Sequence, residues 1–307
     1  MKPRLERLED RTTPSTLANI GGVLTYQGAM GEVNAVTESY AAGRYTISDQ
    51  APPGAPANQI ETTLPGWTVT DTSRTVAVFQ FENIPGQPQP VSVFVGYFQQ
   101  ITSTATGPRD GSFGSILIQT ADLPAQVGLG STVNVESVAD PLTVITGAGD
   151  ADTVNVCSTP ANTGNLNGIQ APVNVVSNGF TRLTISNFTG TAGDADVIVS
   201  QYAVTGFGVH AQPIYYSGPL SLLYIIGSNS RTLPESFHIE SLPRATFALH
   251  TGSGDDSVWI DCLPYVGFGA EVVGSTIGTH TLHAAFINPA TMTANGFRYF
   301  WFQDFGD

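Results

Sequence analysis

An acidic turn in the last quarter of the chain contains the residues best suited to a specific chemistry. Gly252–Val258 reads Gly-Ser-Gly-Asp-Asp-Ser-Val, which matches most of the nonapeptide that binds Ca²⁺ between the coils of a β-roll. Calcium takes roughly six to eight oxygen ligands, so two neighbouring turns must both supply carboxylates. An offset of 21 residues places Glu235 beside Asp256. The pattern predicts either a calcium site at Glu235, Asp255 and Asp256 or, as the favoured interpretation, aspartates that only shape the turn.

A second acidic turn contains Asp150 and Asp152. If one coil spans about nineteen residues here, the next coil brings Ile169 and Ala171 to these positions. Neither residue offers a carboxylate, so we expect no calcium at this turn and no other metal or cofactor in the protein.

Two cysteines and five histidines are the other metal or redox candidates. Cys157 and Cys262 lie far apart in the chain and form no Cys-x-x-Cys motif, so two partly buried free thiols are favoured over a disulfide. His280 and His283 are three residues apart, but two ligands without a third do not make a site. We therefore expect these histidines to be packed or solvated.

No set of residues identifies a catalytic mechanism. Serine is plentiful, but there is no Gly-x-Ser-x-Gly elbow. A polysaccharide lyase or glycosidase would need a carboxylate pair or a basic residue in a groove, and the one cluster that qualifies is Arg231, Glu235 and Arg244. We therefore expect a protein that is not an enzyme. Several aromatic residues could stack on sugars or could simply pack in the core: Tyr215, Tyr216, Tyr299, Phe300, Trp301 and Phe302.

The elements that must position these residues are short strands. Only 12% of the residues are charged, and the apolar residues are largely Val, Ile, Phe and Tyr, which favour pleated sheets. Gly, Pro, Asn or Asp ends nearly every run of four to eight residues. An all-β fold is predicted, with early strands at Gly22–Tyr26, Glu32–Glu38, Arg44–Asp49, Trp67–Asp71, Thr75–Glu82, Val91–Phe98 and Phe113–Thr120.

Charge and hydropathy exclude two classes of partner. The net charge of −14 has the wrong sign for binding a phosphate backbone, so nucleic acid is not expected. The longest apolar runs are far shorter than the roughly 20 residues of a membrane-spanning helix, so no membrane span is expected.

An internal repeat suggests how the strands are arranged. Val154–Asn167 aligns in residue type with Phe237–His250, and the strands before and after each copy also match. Within the copies, strands recur with a period of about nineteen to twenty-one residues. Such a period is typical of a β-solenoid, a parallel β-helix-like stack of coils. A pair of β-sandwich domains is the alternative, since it also has short, regularly spaced strands.

The first residues follow a different pattern. Pro3–Ser15 is highly charged and could form at most a marginal helix of about two turns. The string Arg4–Ser15, RLERLEDRTTPS, resembles the Leu-Glu-x-Leu-Glu-x-Arg type motif that opens many extracellular and cell-surface proteins of planctomycete bacteria. The resemblance implies a sorting or export signal at Leu5, Glu6, Leu8, Glu9 and Arg11.

Much of the chain before residue 270 is similar to the repeats of the same surface proteins, although Gly227–Phe237 lacks the aspartate pair of their turns and residues 270–307 show no clear copy. Gly147–Val156 and Gly252–Ile260 resemble their Gly-x-Gly-x-Asp turn followed by a strand. The resemblance implies an extracellular or cell-surface protein whose β-repeats are structural or adhesive, with polysaccharide or other surface proteins as partners. The alternative is a carbohydrate-active β-solenoid enzyme. The predicted organisation is a flexible sorting segment at 1–16, a β region at 17–140, two repeat copies at 141–261 and a degenerate β region at 262–307.

Overall fold

Twenty-six β-strands form the regular structure of the described part of the chain. The structure is a computed structural model that describes residues 14–302 apart from 21–22, 29–33, 42–43, 51–57, 64–66, 70–75, 81–90, 97, 106–114, 121–129, 149–150, 160–161, 192–195, 211, 263, 266, 285–291 and 298. No helix among these residues is long and apolar enough to cross a membrane.

The first ten strands confirm most of the runs that the sequence predicts, within a few residues at each end. They are β1 Ser15–Ile20, β2 Val23–Gln27, β3 Asn34–Ala41, β4 Arg44–Asp49, β5 Ile60–Thr62, β6 Trp67–Val69, β7 Val76–Gln80, β8 Val91–Gly96, β9 Phe98–Ala105 and β10 Ser115–Thr120.

The other sixteen strands cover the region of the repeat and the C-terminal region. They are β11 Thr132–Ser137, β12 Leu142–Ile145, β13 Thr153–Val156, β14 Val173–Val176, β15 Thr181–Ser186, β16 Val197–Val199, β17 Ala203–Thr205, β18 Ile214–Ser217, β19 Leu220–Ile226, β20 Ser236–Ile239, β21 Thr246–His250, β22 Ser257–Ile260, β23 Ala270–Val273, β24 Thr281–Ala284, β25 Met292–Asn295 and β26 Tyr299–Phe302.

The strands alternate between two sheets, which we name sheet A and sheet B. Sheet A has 14 strands in the order β26-β24-β22-β20-β16-β17-β18-β14-β12-β10-β8-β2-β1-β5. Sheet B has 12 strands in the order β25-β23-β21-β19-β15-β13-β11-β9-β3-β4-β7-β6. From β8 to β15 and again from β18 to β26, each strand lies in the sheet opposite to the strand before it. One coil of the chain therefore adds one strand to each sheet.

Parallel pairing identifies the architecture. In the coils, neighbouring strands of each sheet are parallel, as where Phe237 of β20 lies opposite Val258 of β22. A β-sandwich has antiparallel sheets, because its strands are joined by hairpins and Greek-key connections. The all-β, β-solenoid-like prediction is confirmed, and the sandwich alternative is not.

Two regions depart from parallel pairing. Near the N-terminus, β1 pairs with β2, and β4 pairs with both β3 and β7, in antiparallel fashion. In the middle of sheet A, β17 lies antiparallel between β16 and β18. The coil that connects β15 to β19 therefore carries an inserted hairpin, and the parallel sheet continues on either side of it through β14–β18 and β16–β20.

The repeat alignment from the sequence is wrong by half a coil. It matched β13 with β20, but β13 lies in sheet B and β20 in sheet A. Strands of both sheets have the same alternation of apolar and polar residues, so the pattern cannot tell them apart. The nineteen-residue period has the same origin, because β13 and the next strand β14 belong to different sheets. In the ladder Val154 lies between Val133, 21 residues earlier, and Leu183, 29 residues later.

One apolar core lies between the two sheets. Where the structure describes the side chains, alternate residues of most strands are buried in it, as Leu142 and Val144 of β12 are. Its largest fully buried side chains include Tyr26, Phe237 and Phe247. Large core side chains from neighbouring coils pack on one another, so each coil is stabilised mainly by the coils next to it.

The strand ladders continue across the predicted region boundaries. Strand β10 pairs with β12 across position 140, and β22 pairs with β24 across position 261. Strand β1 begins at Ser15, inside the segment 1–16 that the sequence assigned to a flexible signal. The motif residues Leu5, Glu6, Leu8, Glu9 and Arg11 lie outside the described residues.

Candidate functional site

The chain turns between the sheets at two corners, and polar side chains gather at both. We call the segments that lead from sheet B to sheet A the B-to-A corner; they include 227–235, 251–256 and 274–280. The segments that lead from sheet A to sheet B are the A-to-B corner; they include 177–180, 218–219, 240–245 and 261–269.

The predicted stacking of Glu235 and Asp256 is confirmed. Each residue immediately precedes a sheet A strand, and Ser236 lies opposite Ser257 in the parallel ladder. The backbone N–H of Glu235 donates to Oδ1 of Asp256 at 3.0 Å. Oε2 of Glu235 accepts a hydrogen bond from the backbone N–H of Ser228 at 2.7 Å. Both carboxylates are buried, with side-chain oxygens used to fix the backbone of the corner.

The next coil adds a histidine to this column. His280 precedes β24, whose Thr281 lies opposite Ser257, and its Nδ1 is 3.1 Å from Oδ2 of Asp256. Both side chains are fully buried, and the imidazole lies edge-on to Phe297 with ring centroids 6.0 Å apart. We call Glu235, Asp256 and His280 the corner column.

Asp255, the third predicted calcium ligand, lies apart from the column. It is exposed, and its Oδ1 accepts a hydrogen bond from the backbone N–H of Thr279 at 2.7 Å. No group of three or more His, Cys, Asp or Glu side chains among the described residues has the geometry to hold a metal ion. Calcium binding at Glu235, Asp255 and Asp256 stays a prediction, while the visible role of these carboxylates is to bind backbone donors.

Asp152 shows the same role in an earlier coil. Its neighbours in the ladder are Ser131 and Thr181, not the Ile169 and Ala171 that the nineteen-residue period predicted. The buried carboxylate accepts hydrogen bonds from three donors: the backbone N–H of Ser131 and of Gly147 and the hydroxyl of Thr120. A carboxylate with several donors tightens a turn without a cation.

The two cysteines are unpaired in the structure. Cys262 is partly buried, whereas Cys157 is buried more completely than the sequence predicted. Burial raises the pKa of Cys157, and burial together with the Asp261 carboxylate raises the pKa of Cys262 to about 11. A thiol reacts as the thiolate, so neither cysteine has the character of a nucleophile near neutral pH.

The predicted catalytic cluster of Arg231, Glu235 and Arg244 is not brought together. Glu235 is buried in the corner column, whereas both arginines are exposed. Arg231 precedes β20 at the B-to-A corner and Arg244 follows β20 at the A-to-B corner. The prediction grouped these residues because they are close in sequence, but the whole of strand β20 separates the two arginines.

A groove of about 710 Å³ on the outer face of sheet B brings other polar groups together. Its floor crosses β15, β19, β21 and β23, and the turn Gly267–Gly269 forms part of its wall. We call it the sheet B groove and define it by Arg182, Tyr224, His250 and Glu271. Ala248 lies between Tyr224 and Glu271 in the ladder, and its small side chain leaves the floor open.

A tyrosine–histidine pair occupies the middle of the sheet B groove. The hydroxyl of Tyr224 is 2.8 Å from Nδ1 of His250, and the two rings meet edge to face with centroids 5.0 Å apart. Arg182 lies on β15 and Glu271 on β23, three strand spacings apart, which is about 14 Å. The sheet B groove therefore has a cation at one end, an anion at the other and a hydrogen-bonding pair between them.

Burial keeps the pair uncharged near neutral pH. It raises the pKa of the Tyr224 phenol, with Arg182 acting against that shift and Glu271 adding to it. It lowers the pKa of His250, which Glu271 partly offsets. A tyrosine with a raised pKa and a histidine with a lowered one are both neutral at pH 7, which suits hydrogen bonding to a ligand better than proton transfer.

The outer face of sheet A carries a row of rings. His238, Trp259 and His283 are neighbours in the ladder, and the rings of Trp259 and His283 are stacked, 5.0 Å apart and inclined by 3°. His238 Nε2 is 2.6 Å from Oδ2 of Asp261. Because the stacked rings cover each other's faces, this row offers mainly ring edges to a ligand.

The aromatic residues that the sequence marked as candidates for stacking on sugars lie in different environments. Tyr215 is 45% exposed on sheet A, whereas Tyr216 is buried, so core packing is the alternative that applies to Tyr216. The side chains of Tyr299, Phe300, Trp301 and Phe302 lie outside the described residues; their backbone forms β26.

The sequence reasoning missed the sheet B groove. Of its four defining residues, His250 alone was considered, as one of five histidines. The signal that could have found the groove is the ladder register, which places Tyr224, Ala248 and Glu271 in one row. Comparisons with known proteins add no assignment: no family model, curated protein or solved structure matches the chain.

Proposed function

We propose that this chain is an exported, non-catalytic surface or matrix protein whose stacked β-coils act as a rigid adhesive module. Parallel coils place successive strands at a fixed spacing, so groups on several coils form one extended surface. A polysaccharide, which is itself a linear repeat, suits such a surface. The fold supports this proposal only by analogy, and the sheet B groove carries it.

The observation that carries the proposal is the neutral Tyr224–His250 pair between Arg182 and Glu271. A phenol and an imidazole provide hydrogen-bond donors and acceptors together with apolar ring surface, the combination that binds sugar hydroxyls and C–H groups. The charged groups at the two ends add orientation. The volume of about 710 Å³ falls within the roughly 300–1,000 Å³ of ligand sites in proteins.

Binding to a panel of neutral and acidic polysaccharides tests this role. Tyr224→Ala removes both the ring and its hydrogen bond to His250, and we expect at least a tenfold loss of affinity for the glycan that binds. Tyr215→Ala is the control, since it removes a tyrosine that is 45% exposed from the outer face of the other sheet. Equal affinities of the two variants would contradict the proposal.

A carbohydrate-active enzyme is the second candidate, and one observation favours it. The sheet B groove brings three titratable side chains together: Tyr224, His250 and Glu271. The same panel is incubated with the protein and assayed for new chain ends. Cleavage that His250→Gln or Glu271→Gln abolishes, while binding persists, would replace the adhesive role with an enzymatic one.

Export is proposed from the N-terminal motif. Because Ser15 begins β1 and is buried, a test deletion must stop before it. Removing residues 2–12 is expected to leave the thermal unfolding midpoint unchanged and to retain the protein inside the cell. Export of the shortened protein at the normal level would show that Leu5, Glu6, Leu8, Glu9 and Arg11 are not the signal.

A further inference from the structure

A second cavity lies at the A-to-B corner, beside the hairpin inserted into sheet A. It measures about 340 Å³ and lies outside the sheet B groove. Its lining combines the turn of the β16–β17 hairpin with parts of the corner segments that follow β18, β20 and β22. We call it the corner cavity; it is lined by Gln201, Tyr202, Tyr216, Ser217, Gly218, Pro219, Pro243, Arg244 and Tyr265.

Two tyrosines at this cavity are exposed although their surroundings are fixed. Tyr202 is 62% exposed and Tyr265 is 38% exposed. The Tyr202 backbone is held on both sides, since its N–H donates to the Ser200 hydroxyl and its carbonyl accepts from the N–H of Tyr216. A large ring kept in solvent on an anchored turn leaves apolar surface available for a ligand.

Hydrogen bonds join the hairpin to the next two coils. The backbone N–H of Gln201 donates to the hydroxyl of Ser241 at 2.9 Å, and the hydroxyl of Tyr265 donates to Oε1 of Gln201 at 3.3 Å. The walls of the corner cavity thus come from segments far apart in sequence and are fixed relative to one another. A preformed cavity loses less conformational entropy when it binds a ligand.

Arg244 gives the corner cavity its charge. Its guanidinium carbon lies 5.2 Å from the centre of the Tyr265 ring. Among the described residues the acid–base contacts are His238–Asp261 and His280–Asp256, so no described carboxylate contacts the Arg244 guanidinium. In a chain with a net charge of −14, an exposed arginine that no described carboxylate neutralises is available to bind an anion at the mouth of the cavity.

We propose that the corner cavity binds an acidic sugar residue, with the pyranose ring against Tyr202 and its carboxylate or sulfate on Arg244. Tyrosine faces and a planar guanidinium together match a ligand that is apolar on one face and anionic at one substituent. The site is independent of the sheet B groove, so either can exist without the other.

The test compares glycans of the same backbone and different charge. Polygalacturonate and its fully methyl-esterified form differ only in the carboxylates, and dextran sulfate against dextran makes the same comparison for sulfate. Binding is measured in EDTA by calorimetry, on the full chain. We expect one of the two acidic glycans to bind at least tenfold more tightly than its uncharged form, and which one does so identifies the anionic group.

Paired variants assign the binding to the corner cavity. Arg244→Gln is expected to remove the preference for the acidic glycan, and Tyr202→Ala to weaken the acidic and the uncharged forms alike. Arg231→Gln, which removes an exposed arginine from the opposite corner, is the control and should leave affinity unchanged. Each substitution is also made in the Tyr224→Ala protein, so that binding in the sheet B groove does not mask the effect.

Three results would overturn the proposal. They are equal affinity for charged and uncharged glycans, equal effects of Arg244→Gln and Arg231→Gln, and no binding of either acidic glycan by the unaltered protein. Because Arg244, Tyr202 and Arg231 are exposed, we expect these substitutions to leave the fold unchanged, and an unchanged thermal unfolding midpoint verifies this. Loss of binding in Tyr224→Ala alone would bear on the sheet B groove and not on the corner cavity.

Discussion

Polar side chains at the two ends of the same strands differ in burial. Where β20, β22 and β24 begin, Glu235, Asp256 and His280 are buried and in contact with the backbone and with one another. Where β20 and β22 end, Arg244 and Tyr265 remain accessible beside a cavity. A carboxylate in the first setting stabilises the coil, whereas a guanidinium in the second is available to a ligand. Asp255 and Arg231 are exposed at the same corner as the column, so burial, and not the corner alone, decides the role of a polar residue.

The largest effect is expected from Asp256→Ala in the corner column. This substitution leaves the buried backbone N–H of Glu235 without its acceptor and opens a gap beside the buried imidazole of His280. The unsatisfied donor and the gap together cost about 2–5 kcal/mol of the free energy of unfolding. Asp255→Ala is the control, because its exposed carboxylate contacts one N–H and should contribute less than about 1 kcal/mol. Urea unfolding measures both, and similar losses would refute the distinction.

Two glycines, one at each corner, allow the packing of the two corners to be compared. Gly252 and Gly267 both have positive φ, at 89° and 90°, so alanine is strained at either position. A Cβ at Gly252 would lie 1.9 Å from the carbonyl oxygen of Ser228, while one at Gly267 would have no neighbour within 4 Å. Gly267→Ala should therefore cost the conformational strain alone, about 1–2 kcal/mol.

The clash makes Gly252→Ala the more damaging of the two substitutions. Moving a backbone carbonyl in a packed corner adds about 1–3 kcal/mol to the strain. The difference in the free energy of unfolding between the two variants measures how tightly the B-to-A corner is packed. Equal values would mean that the two corners have similar freedom to relax.

The strands and part of the register were predictable from the sequence, and the two surface sites were not. Arg44–Asp49 was predicted with the bounds that β4 has, because turn residues and alternation mark strand ends. The offset between Glu235 and Asp256 was also right. His280 follows Asp256 by 24 residues and not 21, so a fixed period missed it.

Strands are easier to predict than corners because stacking constrains the strands, whereas the corners can vary in length. Neighbouring strands must align for their hydrogen bonds and core side chains to match, but a corner can gain residues that protrude into solvent. The hairpin formed by β16 and β17 is such an insertion. The corner cavity is built largely from such corner residues, whose spacing along the chain follows no period. The defining residues of the sheet B groove lie on strands, and the sequence missed them because its repeat alignment, wrong by half a coil, did not place Tyr224, Ala248 and Glu271 in one row.

A smaller effect is expected from pH at the sheet B groove. Burial lowers the pKa of His250 below its usual value of about 6.5. As the pH falls below that value, the unfolded chain therefore binds a proton at His250 before the folded chain does. This difference removes stability as pH falls through that range and has no effect above it. His250→Gln should reduce the loss between pH 7 and 5 by about 1 kcal/mol or less.

The smallest effect is expected from calcium at the corner column. Two carboxylates from neighbouring coils would repel each other unless a cation or hydrogen-bond donors compensate their charge. Backbone donors are present: the N–H of Ser228 binds the Glu235 carboxylate, and the N–H of Glu235 binds the Asp256 carboxylate. Calcium would have to displace these contacts to reach its usual number of oxygen ligands. We therefore expect the same unfolding midpoint in EDTA and in millimolar Ca²⁺.

A rise of the midpoint in Ca²⁺ would reverse this interpretation, because a ligand that binds only the folded state must stabilise it. In that case Asp256→Asn should abolish the rise. Asp152→Asn should not, since Asp152 lies between Ser131 and Thr181 and has no acidic neighbour in the ladder. A rise that depends on Asp152 and not on Asp256 would place the ion in an earlier coil. The corner column would then be held by its hydrogen bonds alone.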